Sequence, residues 1–106
     1  EQPAIVHLRD FGITGFTAGC VCIKPQFSTD MMHAIHAGDY ARAEQIRAIF
    51  KPLEDLRNAH SPILVLHHAV ELAGIAKTGP ALPLLTDLPA DLLPAIEKAA
   101  KELLAA

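Results

Sequence analysis

The side chains best suited to chemistry in this sequence are two cysteines, Cys20 and Cys22, and six histidines. Thiols beside imidazoles suggest zinc, and Cys20 and Cys22 with His33 and His36 come nearest to such a set. The Cys-x-Cys spacing is not that of a structural zinc finger. Nothing in the sequence obliges the histidines to converge on the thiols. We therefore read both cysteines as small buried hydrophobes, side by side on one face of a strand, and expect no metal and no cofactor. A nucleophilic Cys20 would need a neighbouring base and an activated thiolate, and no local signature supplies either. His67 and His68 are adjacent on a helix, about 100° apart, so they cannot chelate together. Arg9, Arg42, Arg47 and Arg57 could meet a carboxylate, but each falls on an expected wet helical face. No catalytic residue emerges from the spacing alone.

The elements that must position these side chains come from a folding composition. Of the 106 residues 51% are hydrophobic and 20% charged, and the net charge is -3. This is enough for one domain and too little for two. The acidic balance gives no basic face, so neither nucleic acid nor an anionic membrane is an expected partner. The longest uncharged run, Phe11 to Ile23, is too short and too glycine-rich to cross a bilayer. Two free thiols and no visible signal peptide favour a reducing compartment, the cytoplasm.

Gly12 to Pro25 (GITGFTAGCVCIKP) is the only run with the character of a β-strand, and both of its faces are apolar or small. Around it the pattern is helical. Pro3 to Phe11 reads as a short helix stopped by Gly12, and Ser28-Thr29-Asp30 as the N-cap of a helix ending at Gly38. Asp39 caps a long helix reaching about Asn58, with Ala43, Ile46, Ile49, Phe50, Leu53 and Leu56 on one stripe. Pro52 interrupts that ladder without breaking the stripe, which predicts a kink. Lys51 and Asp55 make an i,i+4 pair. Ser61-Pro62 opens a helix to about Ala73 with Ile63, Leu66, Val70 and Ala73 inward, and Gly74 stops it. Thr78 to Pro89, with three prolines, predicts an extended, packed connector. The last helix carries Leu92, Leu93, Ile96, Ala99, Ala100, Leu103 and Leu104, with Pro94 in its first turn. A buried strand without a partner leaves its N–H and C=O groups unpaired, so the chain looks like part of something larger.

An ordered set of residues carries a resemblance over essentially the whole chain. It runs Gly12, Gly15-Phe16-Thr17-Ala18-Gly19, Pro25, Met32, Ala37-Gly38-Asp39-Tyr40, Ala43, Leu53, Ser61-Pro62-Ile63, Val70, Leu72, Gly74 and Leu82-Pro83-Leu84. The set resembles the C-terminal part of the dihydrodipicolinate synthase / N-acetylneuraminate lyase family. That resemblance implies a mainly α chain with one strand, the last part of a (β/α)8 TIM barrel. Residues 1–37 would end the barrel, with its eighth strand at Gly15 to Ile23, and residues 38–106 would form a helical extension. A whole barrel needs about 250 residues.

Such enzymes are pyruvate-dependent aldolases and lyases in which a lysine forms a Schiff base with a 2-oxo acid. The supporting tyrosine and Thr-Thr pair lie on earlier strands in the family. Lys24, Lys51, Lys77, Lys98 and Lys101 do not fall where the Schiff-base lysine belongs, and Tyr40 falls in a turn. One site carries over: Thr17, followed by Ala18, takes the position facing the bound keto acid, where the family often has Ile or Val followed by Ser. The expectation is thus an inactive segment of a Schiff-base lyase whose full-length parent binds a pyruvate-like 2-oxo acid and forms a homo-oligomer. The alternative is a stand-alone helical interaction module whose strand pairs with a partner or symmetry mate.

Overall fold

A computed structural model describes residues 1–81 and 85–106. The chain builds five α-helices: α1 (Ala4–Phe11), α2 (Pro25–His36), α3 (Tyr40–Ala59), α4 (Pro62–Leu72) and α5 (Leu93–Ala105). Short 3-10 turns cover Cys20–Cys22 and Ala90–Leu92. No strand and no sheet occur among the described residues.

The long helix α3 is the axis of the packing, because α1, α2, α4 and α5 all lie against it. Its sequence says why. Ala43, Ile46, Phe50 and Leu53 recur at helical spacing and are completely buried, while Ile49 and Leu56 pack half-buried at the rim of the stripe. Asp39 caps the N-terminus as the sequence predicts, its Oδ1 accepting the Arg42 N–H at 3.0 Å. Pro52 sits inside one continuous helix. Lys51 and Asp55 meet at 2.5 Å on the exposed side. From the C-terminal end, Ile96, Ala99, Ala100 and Leu103 of α5 close the same core. Met31 and Ile35 of α2 close it from the other end.

The expected helix stops at Gly12, Gly38 and Gly74 all occur, each glycine in the left-handed region. Two helices differ in detail from expectation. α2 begins at Pro25, three residues before the Ser28 cap. Proline has its φ preset for the first helical position and no N–H there to satisfy, which leaves the Ser28 hydroxyl for another partner. In α4 the start is as read, with Ser61 Oγ accepting the Leu64 N–H at 3.4 Å. Its rotation is only partly as read: Leu66, Val70 and Ala73 pack half-buried on the core, but Leu64, Val65 and Ala69 are the buried residues and Ile63 is 65% exposed. The run Ile63 to Leu66 is apolar all round, so no polar side chain marked which face turns outward.

The principal correction concerns the strand. The expected eighth strand of a TIM barrel, Gly15 to Ile23, is not formed, and the described residues make an all-helical globule with no barrel. Residues 12–18 run without regular structure, and the chain then tightens into the 3-10 turn, with Cys22 and Ile23 donating to Gly19 O and Cys20 O at 3.3 and 3.0 Å. A strand is stable only in a ladder, and no second run in this chain supplies one. Cys20 and Ile23 instead become the buried pair, three residues apart, so the local period is that of a turn of helix. Of the connector expected from Thr78 to Pro89, Leu82, Pro83 and Leu84 lie outside the described residues. Thr78 and Gly79 are fastened by the Glu71 carboxylate at the end of α4, and Leu88 packs on the core.

Candidate functional site

The Gly-rich segment is held at two points. The Ile13 N–H donates to His7 O at 3.3 Å, and the His36 ring Nε2 lies 3.1 Å from Thr14 O. Between these anchors and the 3-10 turn, the N–H groups of residues 14–19 find no acceptor among the described residues. An irregular backbone is thereby tied to α1 through His7 and to α2 through His36.

Two hollows flank it. One, of about 350 Å³, is lined by Phe16, Thr17, Ala18, Val21, Ser28, Thr29 and Met32. The other, of about 310 Å³, lies toward α1 and shares Phe16 and Thr17 with the first. Thr17 and Ala18, the positions assigned to a keto acid by resemblance, thus line a concave surface of mixed character. Phe16, Val21 and Met32 supply apolar area, and hydroxyls supply hydrogen bonds. Ser28 Oγ is committed to Glu1 Oε1 at 2.6 Å and Thr29 Oγ1 to Pro25 O at 3.3 Å. The Thr17 hydroxyl has no protein partner among the described residues, so it can donate to a carboxylate or keto oxygen.

What the hollow lacks is a nucleophile. Lys24 Nζ donates to Leu104 O at 2.9 Å and lies 5.0 Å from the centre of the Phe27 ring. Lys51, Lys98 and Lys101 pair with Asp55, Glu102 and Glu97. Lys77 is exposed on the connector beyond α4. None of these lysines lines either hollow.

The cysteines part company. Cys20 is fully buried and Cys22 is exposed, so they do not share a face. The reason is the turn: residues two apart on a 3-10 helix point in different directions, whereas on a strand they would align. His33 and His36 do not join Cys20. Its neighbours are Glu1 and Glu54, and one ligand atom from each of the three lies within 4.8 Å of the others. All three residues are buried.

The electrostatics of this cluster are those of two carboxyls sharing one dry space. Burial pushes the Glu1 carboxyl up, against the opposing Ser28 hydrogen bond, and the nearby Glu54 charge pushes in the same direction as burial. Burial alone would raise Glu54 too, but the Cys20 thiol, the Glu1 α-ammonium 3.6 Å from Glu54 Oε2 and the Arg57 guanidinium outweigh it and hold Glu54 below the usual carboxylate range. Desolvation, followed by the Glu54 carboxylate, drives the Cys20 thiol far up. Arg57 Nη1 reaches Glu54 Oε1 at 3.4 Å, while Glu1 Oε2 and Arg57 Nε are buried without partners.

Glu54 was legible as an anomaly. It stands four residues after Phe50 and eight after Ile46, inside the apolar stripe of α3, where a carboxylate needs company. No comparable signal marks Glu1.

His67 and His68 serve the connector. His68 Nε2 meets Asp87 Oδ1 at 2.5 Å, and His67 Nε2 meets Gly79 O at the same distance. No helix of the described residues is long and apolar enough to cross a membrane. Comparison of the chain with protein-family models, with curated proteins and with solved structures returned no match.

Proposed function

We propose that this chain is a segment of a pyruvate-dependent Schiff-base lyase of the dihydrodipicolinate synthase / N-acetylneuraminate lyase type, supplying substrate-facing wall and no nucleophile. The observation that carries the reading is the hollow at Thr17 and Ala18. The positions that the resemblance assigns to keto acid contact line a concave surface, with a free Thr17 hydroxyl and no amine within it. A wall of this kind can hold and orient a 2-oxo acid. It cannot form the C=N bond, for which a desolvated lysine is required. The Schiff-base lysine then belongs to another stretch of the parent protein, which is a cytoplasmic homo-oligomer on this reading.

Borohydride reduction in the presence of pyruvate tests it. The parent protein should be trapped on a lysine outside residues 1–106, and the 106-residue chain alone should gain no mass. Label on Lys24, Lys51, Lys77, Lys98 or Lys101 would overturn the reading, as would a parent that is never trapped. Replacing Thr17 by Val in the parent should shift keto acid preference through KM.

The row of N–H groups at residues 14–19 favours one other reading, a helical interaction module that pairs this extended segment with a partner's backbone. On that reading pyruvate traps nothing in the parent, and a complex persists without keto acid.

A further inference from the structure

We propose that Glu1, Cys20 and Glu54 form a three-ligand site for a divalent cation of borderline softness, zinc above all, with a fourth position open to water. The ligands come from three places: Glu1 from three residues before α1, Cys20 from the 3-10 turn and Glu54 from the C-terminal half of α3. Their donor atoms already lie within 4.8 Å of one another. Tetrahedral zinc needs ligand atoms closer than this, within reach of small side-chain rotations.

Three observations point to a cation. Glu1 Oε2 is buried and has no hydrogen-bond partner, although the Glu1 side chain is 0% exposed. A carboxylate oxygen left dry and unpaired is costly, and a metal ion removes the cost. Glu1 Oε1 is oriented from outside the cluster by Ser28 Oγ at 2.6 Å and Glu54 Oε1 by Arg57 Nη1 at 3.4 Å, while Glu54 Oε2 lies 3.6 Å from the Glu1 α-ammonium, a cation already drawn to this oxygen. That is the arrangement of outer partners that holds metal-binding carboxylates in place. Finally, a hollow of about 570 Å³ lined by Gln2, Pro3, Arg47, Glu54, Arg57 and Asn58 opens beside Glu54 and gives an ion and its water a way in.

The donor set selects the ion. One thiolate with two carboxylates suits zinc, or cobalt as its spectroscopic stand-in, and disfavours magnesium and calcium, which take oxygen alone. Loading is a proton exchange with no redox change. The cation takes up the Cys20 thiolate and both carboxylates, and the proton of the Cys20 thiol leaves to solvent. Binding therefore releases the thiol proton and tightens as pH rises.

Cobalt(II) titration of the whole chain tests the site. One equivalent should bring a thiolate-to-cobalt charge-transfer band and the visible bands of a tetrahedral ion. Zinc should displace it, and calorimetry in buffers of different ionisation enthalpy should find proton release on binding. Cys22→Ser should leave all of this unchanged. Glu54→Gln and Cys20→Ala should abolish the band, with circular dichroism confirming that the helices persist. Ser28→Ala, which removes an outer partner only, should weaken binding about 10- to 100-fold. A wild-type chain without the charge-transfer band overturns the proposal. So does a band that survives in folded Glu54→Gln, or one lost on replacing Cys22.

Discussion

Two neighbouring regions treat their apolar residues in opposite ways. In α3, Ala43, Ile46, Phe50 and Leu53 are all completely buried, and every helix of the chain packs against them. In the segment from Gly12 to Gly19, an apolar run leaves Ile13 47% exposed and the N–H groups of residues 14–19 without acceptors among the described residues. The difference is that α3 satisfies its own polar backbone and the segment cannot. A helix carries its hydrogen bonds within itself, so burying one face is enough to fix it. An extended run depends on neighbours, and this chain encodes none.

Substitutions can break that contrast or sharpen it. The largest effect belongs to the core of α3. Phe50→Ala should cost about 3–5 kcal/mol in urea unfolding, because Phe50 is buried where all the helices meet. A loss under about 1 kcal/mol would mean that α3 is not the packing axis. The two ends of the Gly-rich segment should then separate. A Cβ at Gly19 would fall 2.5 Å from Leu66 Cδ1 and 3.0 Å from Arg57 Nε, so Gly19→Ala should destabilise by about 1–3 kcal/mol as those side chains shift. At Ser61, loss of the α4 cap through Ser61→Ala should cost about 1 kcal/mol. A Cβ at Gly15 meets nothing within 4 Å, so Gly15→Ala should change thermal stability by no more than about 0.5 kcal/mol. Equal effects at Gly15 and Gly19 would erase the distinction between a docked end and an open one.

The smallest effect is one of pH. The Thr78 hydroxyl, with the backbone N–H groups of Thr78 and Gly79, holds the Glu71 carboxylate below its ordinary 4.5. A depressed carboxylate stabilises fully above the unfolded value, and that contribution is lost as pH falls through the folded one. The connector should therefore be fastened at neutral pH and loosen below pH 4.5. The amide resonances of Thr78 and Gly79 should report the transition, and Glu71→Gln should remove it.

This contrast also explains which parts of the molecule could be read from the sequence. The stripe of α3, the Asp39 and Ser61 caps and the glycine stops are local signals, each satisfied within a few residues of its cause. The rotation of α4 was only partly legible, because Ile63 to Leu66 offer no polar side chain to exclude a face. The strand reading failed because β-character in Gly12 to Ile23 says how the run would behave beside another strand, and no such strand is encoded. Thr17 and Ala18 were reached through resemblance, and their place on the wall of a hollow comes from the way α2 crosses the segment. The Glu1–Cys20–Glu54 cluster joins residues 53 positions apart, a juxtaposition that only the packing of α1, the 3-10 turn and α3 creates.

The most direct test of the account is residue-resolved amide hydrogen exchange on the intact chain. The interior amides of α3 and α5 should be protected to the level of global unfolding. Those of residues 14–19 should exchange at nearly the rate of a free chain. Protection at residues 14–19 matching that of α3 would mean that the segment is already paired, and would contradict the account of it as an open backbone beside a substrate-sized hollow.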